Sequence, residues 1–314
     1  MPARGCGIKT RAHQLGSIGY STMSDHFRLI RHSDRAWHDR FFNFIASVFE
    51  GARTFSAWGA RGGWVDGYDV FAVVVDDQIV STVGRQSMRY VINGKERSGY
   101  QIGAVATHAD HRNRGLARSL MNKVLGELDT PNQPVILFAN SSVLDFYPRF
   151  GFRRLAQSSF IGHIDVHPTG TLAPRLDLAK STERAWLADH CARASAVGLG
   201  FTARDYYPTI LFHLTRQPRI AFRLDPFGAV MIVQQHGDRL LIEDLLATRP
   251  FRLKDALPYV CSQPVHTLEF SFHPEAWWPD AESQALDDGG SPLFARGAAV
   301  EVEEPIRFPD LAHT

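Results

Sequence analysis

The sequence predicts an α+β protein of mixed α/β order, in which helices flank a central, mostly antiparallel twisted sheet. Continuous apolar segments such as 70–75 indicate buried strands. The pair Asn93–Gly94 predicts a tight hairpin, because both turn positions need a positive φ. Apolar residues spaced three or four apart, as over 116–128, indicate amphipathic helices between the strands. The same coarse order of elements recurs in the second half of the chain, which predicts a tandem duplication.

The first half begins with a predicted helix, because Trp37, Phe41, Ile45 and Val48 recur at helical spacing. An antiparallel meander follows, and then a crossover helix with its strand. The predicted elements are strands over 70–75, 79–91 and 100–107, a helix over 115–128, a strand over 135–139, a short helix over 142–149 and a final strand from Phe152 to Ile164. We expect that last strand to complete the sheet of the first half.

A short basic loop, His111–Arg118, joins the strand that ends near Thr107 to the helix that begins near Gly115. The first N–H groups of a helix have no intrahelical partner, and the macrodipole adds a partial positive charge at the same end. Gly115 lets backbone approach a ligand closely, and Arg112 and Arg114 supply charged donors. The loop therefore predicts a phosphate or pyrophosphate site. The alternative is a solvated basic turn before an ordinary helix.

Two motifs resemble those of the GNAT superfamily of N-acetyltransferases. The segment Arg112-Asn113-Arg114-Gly115-Leu116-Ala117 resembles motif A, Arg/Gln-x-x-Gly-x-Gly/Ala, which in that family holds the pyrophosphate of acetyl-coenzyme A. The segment that follows the strand over 135–139 resembles motif B. Its matching positions are Asn140, Val143, Phe146, Tyr147, Gly151 and Phe152. The resemblance covers residues 25–167 and implies the GNAT acyltransferase fold with acetyl-coenzyme A as cosubstrate.

The resemblance also implies roles for individual residues. Tyr147 would stand beside the coenzyme sulfur and donate a proton to the departing thiolate; the alternative is a packing tyrosine. Backbone groups of Val105 and Thr107 would contact the pantetheine arm, and Asn140 would contact the same arm or only cap the following helix. The residues implied to bind the coenzyme are Val105, Thr107, Arg112, Asn113, Arg114, Gly115, Leu116, Ala117, Arg118 and Asn140.

The general base is the point at which this sequence departs from many GNAT relatives. In those relatives a glutamate often stands on the strand before motif A, whereas the strand here reads Tyr100-Gln101-Ile102-Gly103, without an acid. The open alternatives are ordered water with backbone carbonyls, a carboxylate from elsewhere, and the carboxylate of Thr314. Glu96, Asp66 and Asp145 are the nearest acids in sequence, and the sequence does not rank them.

A boundary between two units is indicated by Pro168, Gly170 and Pro174. We expect a disordered tail over 1–24, a GNAT domain over 25–167, and a degenerate GNAT-like domain with a C-terminal tail over 175–314. The second unit is predicted to contain a helix over 182–196, strands over 219–224, 228–233, 240–246 and 267–272, and a helix over 252–260. The segment 291–297 in the tail is a candidate edge strand, and the sequence does not settle its role. No Arg-x-x-Gly-x-Ala pattern follows its third strand, so we expect no phosphate site there.

Composition excludes several classes of protein. Hydrophobic residues make up 44% and charged residues 21% of the 314, and a net charge of +1 disfavours nucleic acid and anionic membranes as partners. No apolar segment approaches the roughly 20 residues of a membrane helix. Cys6, Cys191 and Cys261 are widely spaced, so we expect neither disulfides nor a metal site, and a cytoplasmic location. The basic, acid-free residues 1–22 indicate a tail or an upstream translation start, with an organellar transit sequence as the alternative.

The leading hypothesis is an N-acetyltransferase that moves the acetyl group of acetyl-coenzyme A to a primary amine of a small acceptor. The alternatives are a longer acyl donor, a protein lysine or N-terminal amine as acceptor, and a non-catalytic acyl-coenzyme A sensor. A nucleotide site is disfavoured, because no Gly-Lys-Ser/Thr ending and no early Gly-x-Gly-x-x-Gly is present. Exposed sheet edges predict a homodimer. Four aromatic residues either line a pocket mouth or belong to the core: Trp58, Trp64, Tyr68 and Tyr100.

Overall fold

The structure is a computed structural model that describes residues 27–49, 54–217, 219–288 and 290–314. The predicted tail over 1–24, which contains Cys6, lies outside these described residues. The helices, in chain order, are α1 Arg35–Val48, α2 Thr54–Ala60, α3 Leu116–Gly126, α4 Ser181–Arg193, α5 Tyr207–Arg216 and α6 Leu253–Ala256. The strands are β1 Phe27–Ile30, β2 Tyr68–Val75, β3 Gln78–Ile92, β4 Lys95–Thr107, β5 Val135–Phe138, β6 Arg153–Leu155, β7 Ser158–Val166, β8 Phe201–Arg204, β9 Ile220–Leu224, β10 Ala229–His236, β11 Arg239–Ala247, β12 Val265–Phe270, β13 Glu282–Ala285 and β14 Leu293–Arg296.

These strands form two mixed sheets with the same internal order. The first has eight strands in the order β1-β2-β3-β4-β5-β14-β6, with β8 paired to β3 beyond the end of β2. The second has six, in the order β9-β10-β11-β12-β7-β13. In each sheet an antiparallel meander leads to one parallel pair, β4 with β5 and β11 with β12, and a helix connects the two strands of that pair. The predicted mixed fold with a mostly antiparallel sheet is confirmed, and its strand order occurs twice.

The two sheets exchange one strand each at the same position. β14, near the end of the chain, lies between β5 and β6 in the first sheet, and β7 lies between β12 and β13 in the second. The expectation of one strand from Phe152 to Ile164 in the first sheet was therefore wrong, and the candidate edge strand over 291–297 lies within that sheet rather than at its edge. An apolar pattern shows that a strand is buried but not which sheet it joins. The domain limits and the degenerate GNAT-like assignment stay predictions.

Local turn chemistry explains why a predicted hairpin is confirmed and why a predicted helix is not formed. Asn93 and Gly94 have φ values of 49° and 74°, so the predicted hairpin is confirmed. The predicted helix over 142–149 is replaced by two 3-10 turns, Ser141–Val143 and Tyr147–Phe150. Pro148 lacks a backbone N–H and therefore cannot continue an α-helical hydrogen-bond ladder through this segment.

Helices cover both faces of the first sheet. On one face, α1 buries the aromatic side chains of Trp37 and Phe41, and the Phe41 ring lies 5.3 Å from that of Trp64. On the other face, α3 buries Leu120, Met121 and Val124. Helix α5, which the sequence analysis did not predict, packs against α2 and buries Leu211 in the core beneath α1. The second half thus covers part of the first sheet. Among the described helices, none is long and apolar enough to cross a bilayer.

Candidate functional site

The parallel strands β4 and β5 separate after three residue pairs, and the gap between them is the candidate site. Their pairing runs from Tyr100 opposite Val135 to Ile102 opposite Leu137. At Ala104, which has a φ of 47°, the register of β4 against β3 shifts, so β4 forms a bulge as it leaves β5. The edge of β4 over 103–107 is therefore not paired with β5, and its backbone groups can bond a ligand instead.

Two cavities fill this gap and meet at Tyr147. The loop-side groove has a volume of about 490 Å³, and the central cavity one of about 300 Å³. The residues that line both are Phe49, Val105, Asn140, Val143 and Tyr147. The groove continues to the basic loop, and the central cavity continues to α5 and the last residues of the chain.

The predicted anion loop lies at the N-terminus of α3. Asn113 and Gly115 have φ values of 60° and 76°, so the chain makes a sharp turn before Leu116 begins the helix. Arg112 lines the loop-side groove, and its Nε donates a hydrogen bond to the Thr107 carbonyl oxygen at 3.3 Å. Arg114 is exposed, and its Nη2 donates to the carbonyl oxygen of Asp110 at 3.1 Å.

The structure brings some of the predicted coenzyme residues together and leaves others outside the groove wall. Those that line the loop-side groove are Val105, Thr107, Arg112, Ala117 and Asn140. Those absent from its wall are Asn113, Arg114, Gly115, Leu116 and Arg118. The Leu116 side chain packs into the core under the sheet, so this residue can offer a ligand only its backbone. All ten assignments stay predictions.

Asn140 follows β5 and caps the turn after this strand, as one of the two alternatives predicted. Its Oδ1 accepts hydrogen bonds from the Ser142 backbone N–H and from the Ser142 hydroxyl, both at 3.0 Å. The residue also lines both cavities, so capping and ligand contact are compatible.

Tyr147 stands where the two cavities meet. The residue is only 5% exposed, and its ring packs against Phe146, Phe152 and Phe294. Burial raises the pKa of Tyr147 to about 12, so the phenol keeps its proton throughout the ordinary pH range. A protonated phenol in the wall of both cavities is an available hydrogen-bond donor.

The central cavity also contains two histidines that the sequence analysis did not select. His213 comes from α5, and its Nε2 donates to the carbonyl oxygen of His313 at 2.7 Å. The His313 ring stacks on Phe138 with ring centroids 3.8 Å apart. Burial lowers the pKa of His213 to about 4 and that of His313 to about 3, so both rings are neutral at pH 7.

The C-terminal segment reaches the same cavity. Thr314 donates hydrogen bonds from its backbone N–H and its hydroxyl to Gln101 Oε1, at 2.5 and 2.7 Å, and Gln101 Nε2 donates to the Ala312 carbonyl oxygen. Gln101 stands on the strand where GNAT relatives often carry the acid. Here it binds the C-terminal segment instead. Helical spacing after Pro208 gives a sequence signal for α5, but nothing in the sequence indicates that α5 and residues 312–314 meet at this site.

None of the three acids nearest in sequence lies in the wall of the central cavity. Glu96 is paired with Arg204 on the surface. Asp66 is exposed and lies 3.4 Å from His32, and Asp145 is exposed. Among the described residues, the side chains that line the central cavity include no carboxylate, and Arg216 is the charged side chain; Thr314, whose carboxylate the sequence analysis left open as a base, also lines this cavity.

From the sequence alone, four aromatic residues were either pocket-lining or core residues, and the structure contains both kinds. Trp58, Trp64 and Tyr68 are buried in the core under α1, and Trp58 and Tyr68 also line a narrow cavity next to the central one. Tyr100 lines a larger cavity beyond it. In the described ranges, Cys191 and Cys261 are free thiols, and no group of three His, Cys, Asp or Glu side chains is placed to hold a metal.

Comparisons with known proteins address the fold and the family. Residues 29–155 match the family model described as an acetyltransferase (GNAT) domain. No curated protein matches the chain by sequence. A conserved protein of unknown function from Enterococcus faecalis V583, a probable N-acyltransferase, aligns with a TM-score of 0.53 at 14% identity, over 87% of this chain and 73% of that chain.

Two further solved structures align similarly. Eis1 from Mycobacterium abscessus gives a TM-score of 0.52 at 16% identity, over 88% of this chain and 74% of that chain. A GCN5-related N-acetyltransferase from Kribbella flavida gives 0.52 at 17% identity, over 87% and 71%. These alignments extend over both halves of the chain, and at such identities they show a shared fold.

Proposed function

We propose that this chain, which carries a domain of the GNAT acetyltransferase superfamily over residues 29–155, transfers the acetyl group of acetyl-coenzyme A to a primary amine of a small acceptor. The observation that carries the proposal is the meeting of two cavities at Tyr147, because the reaction needs a donor and an acceptor to meet beside one proton donor. The loop-side groove would take the coenzyme, and the central cavity the acceptor amine.

The loop-side groove fits the coenzyme by its chemistry. Arg112 and the first N–H groups of α3 suit a pyrophosphate, which carries negative charge and many acceptor oxygens. The edge of β4 over 103–107 suits the pantetheine arm, whose amides can bond to a free strand edge as a peptide does. Acetyl-coenzyme A would supply an activated thioester there.

Tyr147 is the proposed general acid. A C–N bond forms between the acceptor nitrogen and the thioester carbonyl carbon, and the C–S bond breaks with its electron pair leaving on sulfur. The Tyr147 hydroxyl donates toward that sulfur, and the proton that the nitrogen loses restores the phenol. A thiol has a pKa of about 8.5 in water, so proton transfer from a phenol with a pKa of about 12 is favoured only where burial also disfavours the thiolate.

The acceptor amine would react as the free base without a side-chain carboxylate to deprotonate it. An alkylamine is neutral in fewer than about one molecule in a thousand at pH 7. The burial that keeps His213 and His313 neutral disfavours an ammonium in the same cavity, and Arg216 adds like charge. The amine would therefore leave its proton with solvent on entry.

The test is thiol release from acetyl-coenzyme A in the presence of small primary amines, together with calorimetric titration of acetyl-coenzyme A. We expect binding in the micromolar range and amine-dependent thiol release, with the acetylated amine identified by mass. A folded protein that does not bind the coenzyme would contradict the whole proposal.

A non-catalytic acyl-coenzyme A sensor is the second candidate, because no described side chain in the wall of the central cavity is a carboxylate. Slow hydrolysis of the bound thioester distinguishes the two. An enzyme that polarises the thioester should hydrolyse acetyl-coenzyme A measurably without any acceptor, whereas a sensor should protect the bound thioester. Cytoplasmic location and a homodimer stay predictions.

A further inference from the structure

We propose that the acceptor enters from a mouth other than that of the coenzyme, through a passage that selects slender aliphatic amines with a second positive charge. The proposal rests on the acetyltransferase function and names the acceptor class for that same site. Two further cavities make up the passage. They are the neck, lined among others by Phe55, Trp58, Tyr68 and Phe212, and the vestibule, lined among others by Asp66, Gln86, Asp129 and Asp205.

The four cavities form a series in which each shares wall residues with the next. Phe55, Gly103, Ala104, Phe212 and Thr314 line both the central cavity and the neck. At its other end, the neck shares Gln86, Pro208 and Thr209 with the vestibule. The series therefore runs from the basic loop past Tyr147 and through the neck to the vestibule.

The vestibule exists because the first sheet is interrupted along β3. The first residue of β2, Tyr68, lies opposite Gln86, and the last residue of β8, Arg204, lies opposite Arg89, so no described strand pairs with β3 between these two positions on that side. The first turn of α5 closes the opening, and the cavity has a volume of about 540 Å³. This space exceeds that of the central cavity, so the vestibule can accommodate the part of an acceptor that does not react.

Charge differs between the two ends of the series. The vestibule wall contains the carboxylates of Asp66, Asp129 and Asp205 and one guanidinium, that of Arg89, which lies 3.5 Å from Asp205. In the described part of the chain, the walls of the loop-side groove and the central cavity contain the guanidinium groups of Arg112 and Arg216 and no carboxylate side chain. An anionic coenzyme is thus attracted to one mouth and a cationic acceptor to the other.

The neck limits the width of what can pass. Its volume of about 30 Å³ is the smallest of the four cavities. Trp58 is held in place by its Nε1, which donates to the Pro208 carbonyl oxygen at 2.8 Å, and the rings of Phe55 and Phe212 lie 4.8 Å apart. A methylene chain can enter with small side-chain shifts, and aromatic faces favour a passing ammonium. A branched or cyclic amine would need the rings to separate.

Gln86 marks the junction of the neck and the vestibule. It is only 7% exposed and lines both spaces. Its Nε2 donates to the neighbouring Ser87 carbonyl oxygen at 3.2 Å, and no described residue donates to its Oε1. An amide oxygen with unused acceptor capacity beside both spaces suits an ammonium N–H.

The acceptor class follows from these three spaces. The reacting nitrogen would lie in the central cavity as the free base, an unbranched methylene chain would fill the neck, and a second ammonium would stay with the carboxylates of the vestibule. A linear diamine has this form, and a monoamine of equal length lacks the second charge.

The experiment compares kcat/KM for linear diamines and monoamines of matched length in the wild type and in two triple variants. One variant changes the vestibule, Asp66→Asn, Asp129→Asn and Asp205→Asn. The matched control makes the same charge change on exposed aspartates outside the four cavities, Asp39→Asn, Asp238→Asn and Asp280→Asn. Asn suits position 205, because Asp205 has a φ of 55° and Asn tolerates this conformation.

We expect the wild type and the control to prefer the diamine, and the vestibule variant to lose about tenfold of that preference, because the second ammonium loses its carboxylate partners. The monoamine rate should fall much less than the diamine rate in the vestibule variant, because only the diamine keeps a charge there when it is bound. A second variant, Phe212→Leu, should widen the neck and raise the rate for amines that carry a ring next to the nitrogen. Gln86→Leu should lower the diamine preference alone.

An equal preference in the wild type and the vestibule variant would overturn the passage while leaving acetyl transfer intact, because monoamine turnover reports transfer independently. A wild-type protein that neither binds the coenzyme nor turns over monoamines would contradict the proposed function itself. A ring-bearing amine that the wild type accepts as well as a linear one would refute the neck.

Discussion

The two parallel strand pairs of this molecule are built alike and end differently. β4 and β5 pair over three residues and then separate around open cavities. β11 and β12 pair over four, from Arg239 opposite Thr267 to Ile242 opposite Phe270. Beyond that point the chain itself occupies the second gap. The Asp310 N–H bonds the Ser271 carbonyl oxygen at 3.0 Å, and Phe308 is fully buried there.

The helices that connect the strands of the two parallel pairs, α3 and α6, also differ between the halves. α3 has eleven residues and follows a loop with Arg112, Arg114 and Gly115, whereas α6 has four residues and follows Arg252. A helix of one turn offers little macrodipole for an anion. Under the proposed function, strand order alone does not make a coenzyme site, and an open gap and a full helix with a basic loop are also needed. The segment over 306–314 fills the second gap and then lines the first, so it couples the two halves.

Among these predictions, removal of the Tyr147 hydroxyl from the open site of the first half should have the largest effect, and the quantity that changes is kcat. Tyr147→Phe should lower kcat by about 10²–10⁴-fold, the usual contribution of a general acid, while coenzyme affinity stays nearly unchanged. Tyr259→Phe, which changes an exposed tyrosine of the second half, is the matched control and should retain full turnover. Equal turnover of Tyr147→Phe and wild type would refute the acid role.

The filled gap should be visible as a pH dependence of stability. Asp244 follows the point at which β11 leaves β12, and burial raises its pKa to about 7 although the Tyr206 hydroxyl donates to it at 2.9 Å. The unfolded chain releases this proton near pH 4, so folding takes up a proton between about pH 4 and pH 7, and stability falls as pH rises through that window.

Asp244→Asn cannot ionise and should remove that fall. Between pH 5 and pH 8 the wild type should lose about 3 kcal/mol more than the variant, at about 1.4 kcal/mol per pH unit up to the folded pKa. Urea unfolding at both pH values measures the difference, with Asp238→Asn, on an exposed turn, as control. Parallel curves for wild type and Asp244→Asn would show that this carboxyl does not titrate as argued.

The basic loop of the first half should contribute to the affinity for acetyl-coenzyme A, and the corresponding loop of the second half should not. The double variant Arg112→Ala, Arg114→Ala should weaken acetyl-coenzyme A binding by about 10²-fold, because each charge-assisted hydrogen bond contributes about 1.5 kcal/mol. Arg249→Ala removes an arginine from the loop after β11 and should leave affinity unchanged in the same titration. Unaltered binding by the double variant would place the pyrophosphate elsewhere.

The last prediction concerns the open central cavity and is the dependence of kcat/KM on pH. If the acceptor must enter as the free amine, kcat/KM should rise about tenfold per pH unit between pH 7 and pH 9, since an alkylamine has a pKa of about 10.4. His213 and His313 titrate well below this window and should not bend the profile. A plateau within the window would indicate a side-chain base that titrates there.

The sequence predicted the elements that local patterns encode. The Asn93–Gly94 hairpin, the helix after Gly115 and the strand over 135–138 all follow from turn chemistry or from hydrophobic period. The exchange of β7 and β14 between the sheets could not be predicted in this way, because a buried strand has the same apolar pattern in either sheet. Helix α5 carried a usable signal, with Pro208 at its start and Ile210, Leu211 and Leu214 at helical spacing.

For the candidate site, the sequence by itself determined the motif residues, because Arg112, Gly115 and Tyr147 lie within two short segments whose conformation is local. The tertiary structure decided what surrounds them. His213 and Arg216 of α5 and residues 313–314 arrive from distant parts of the chain and line the central cavity. Long-range packing of this kind depends on which surfaces fit together, and no local pattern in the sequence records that fit.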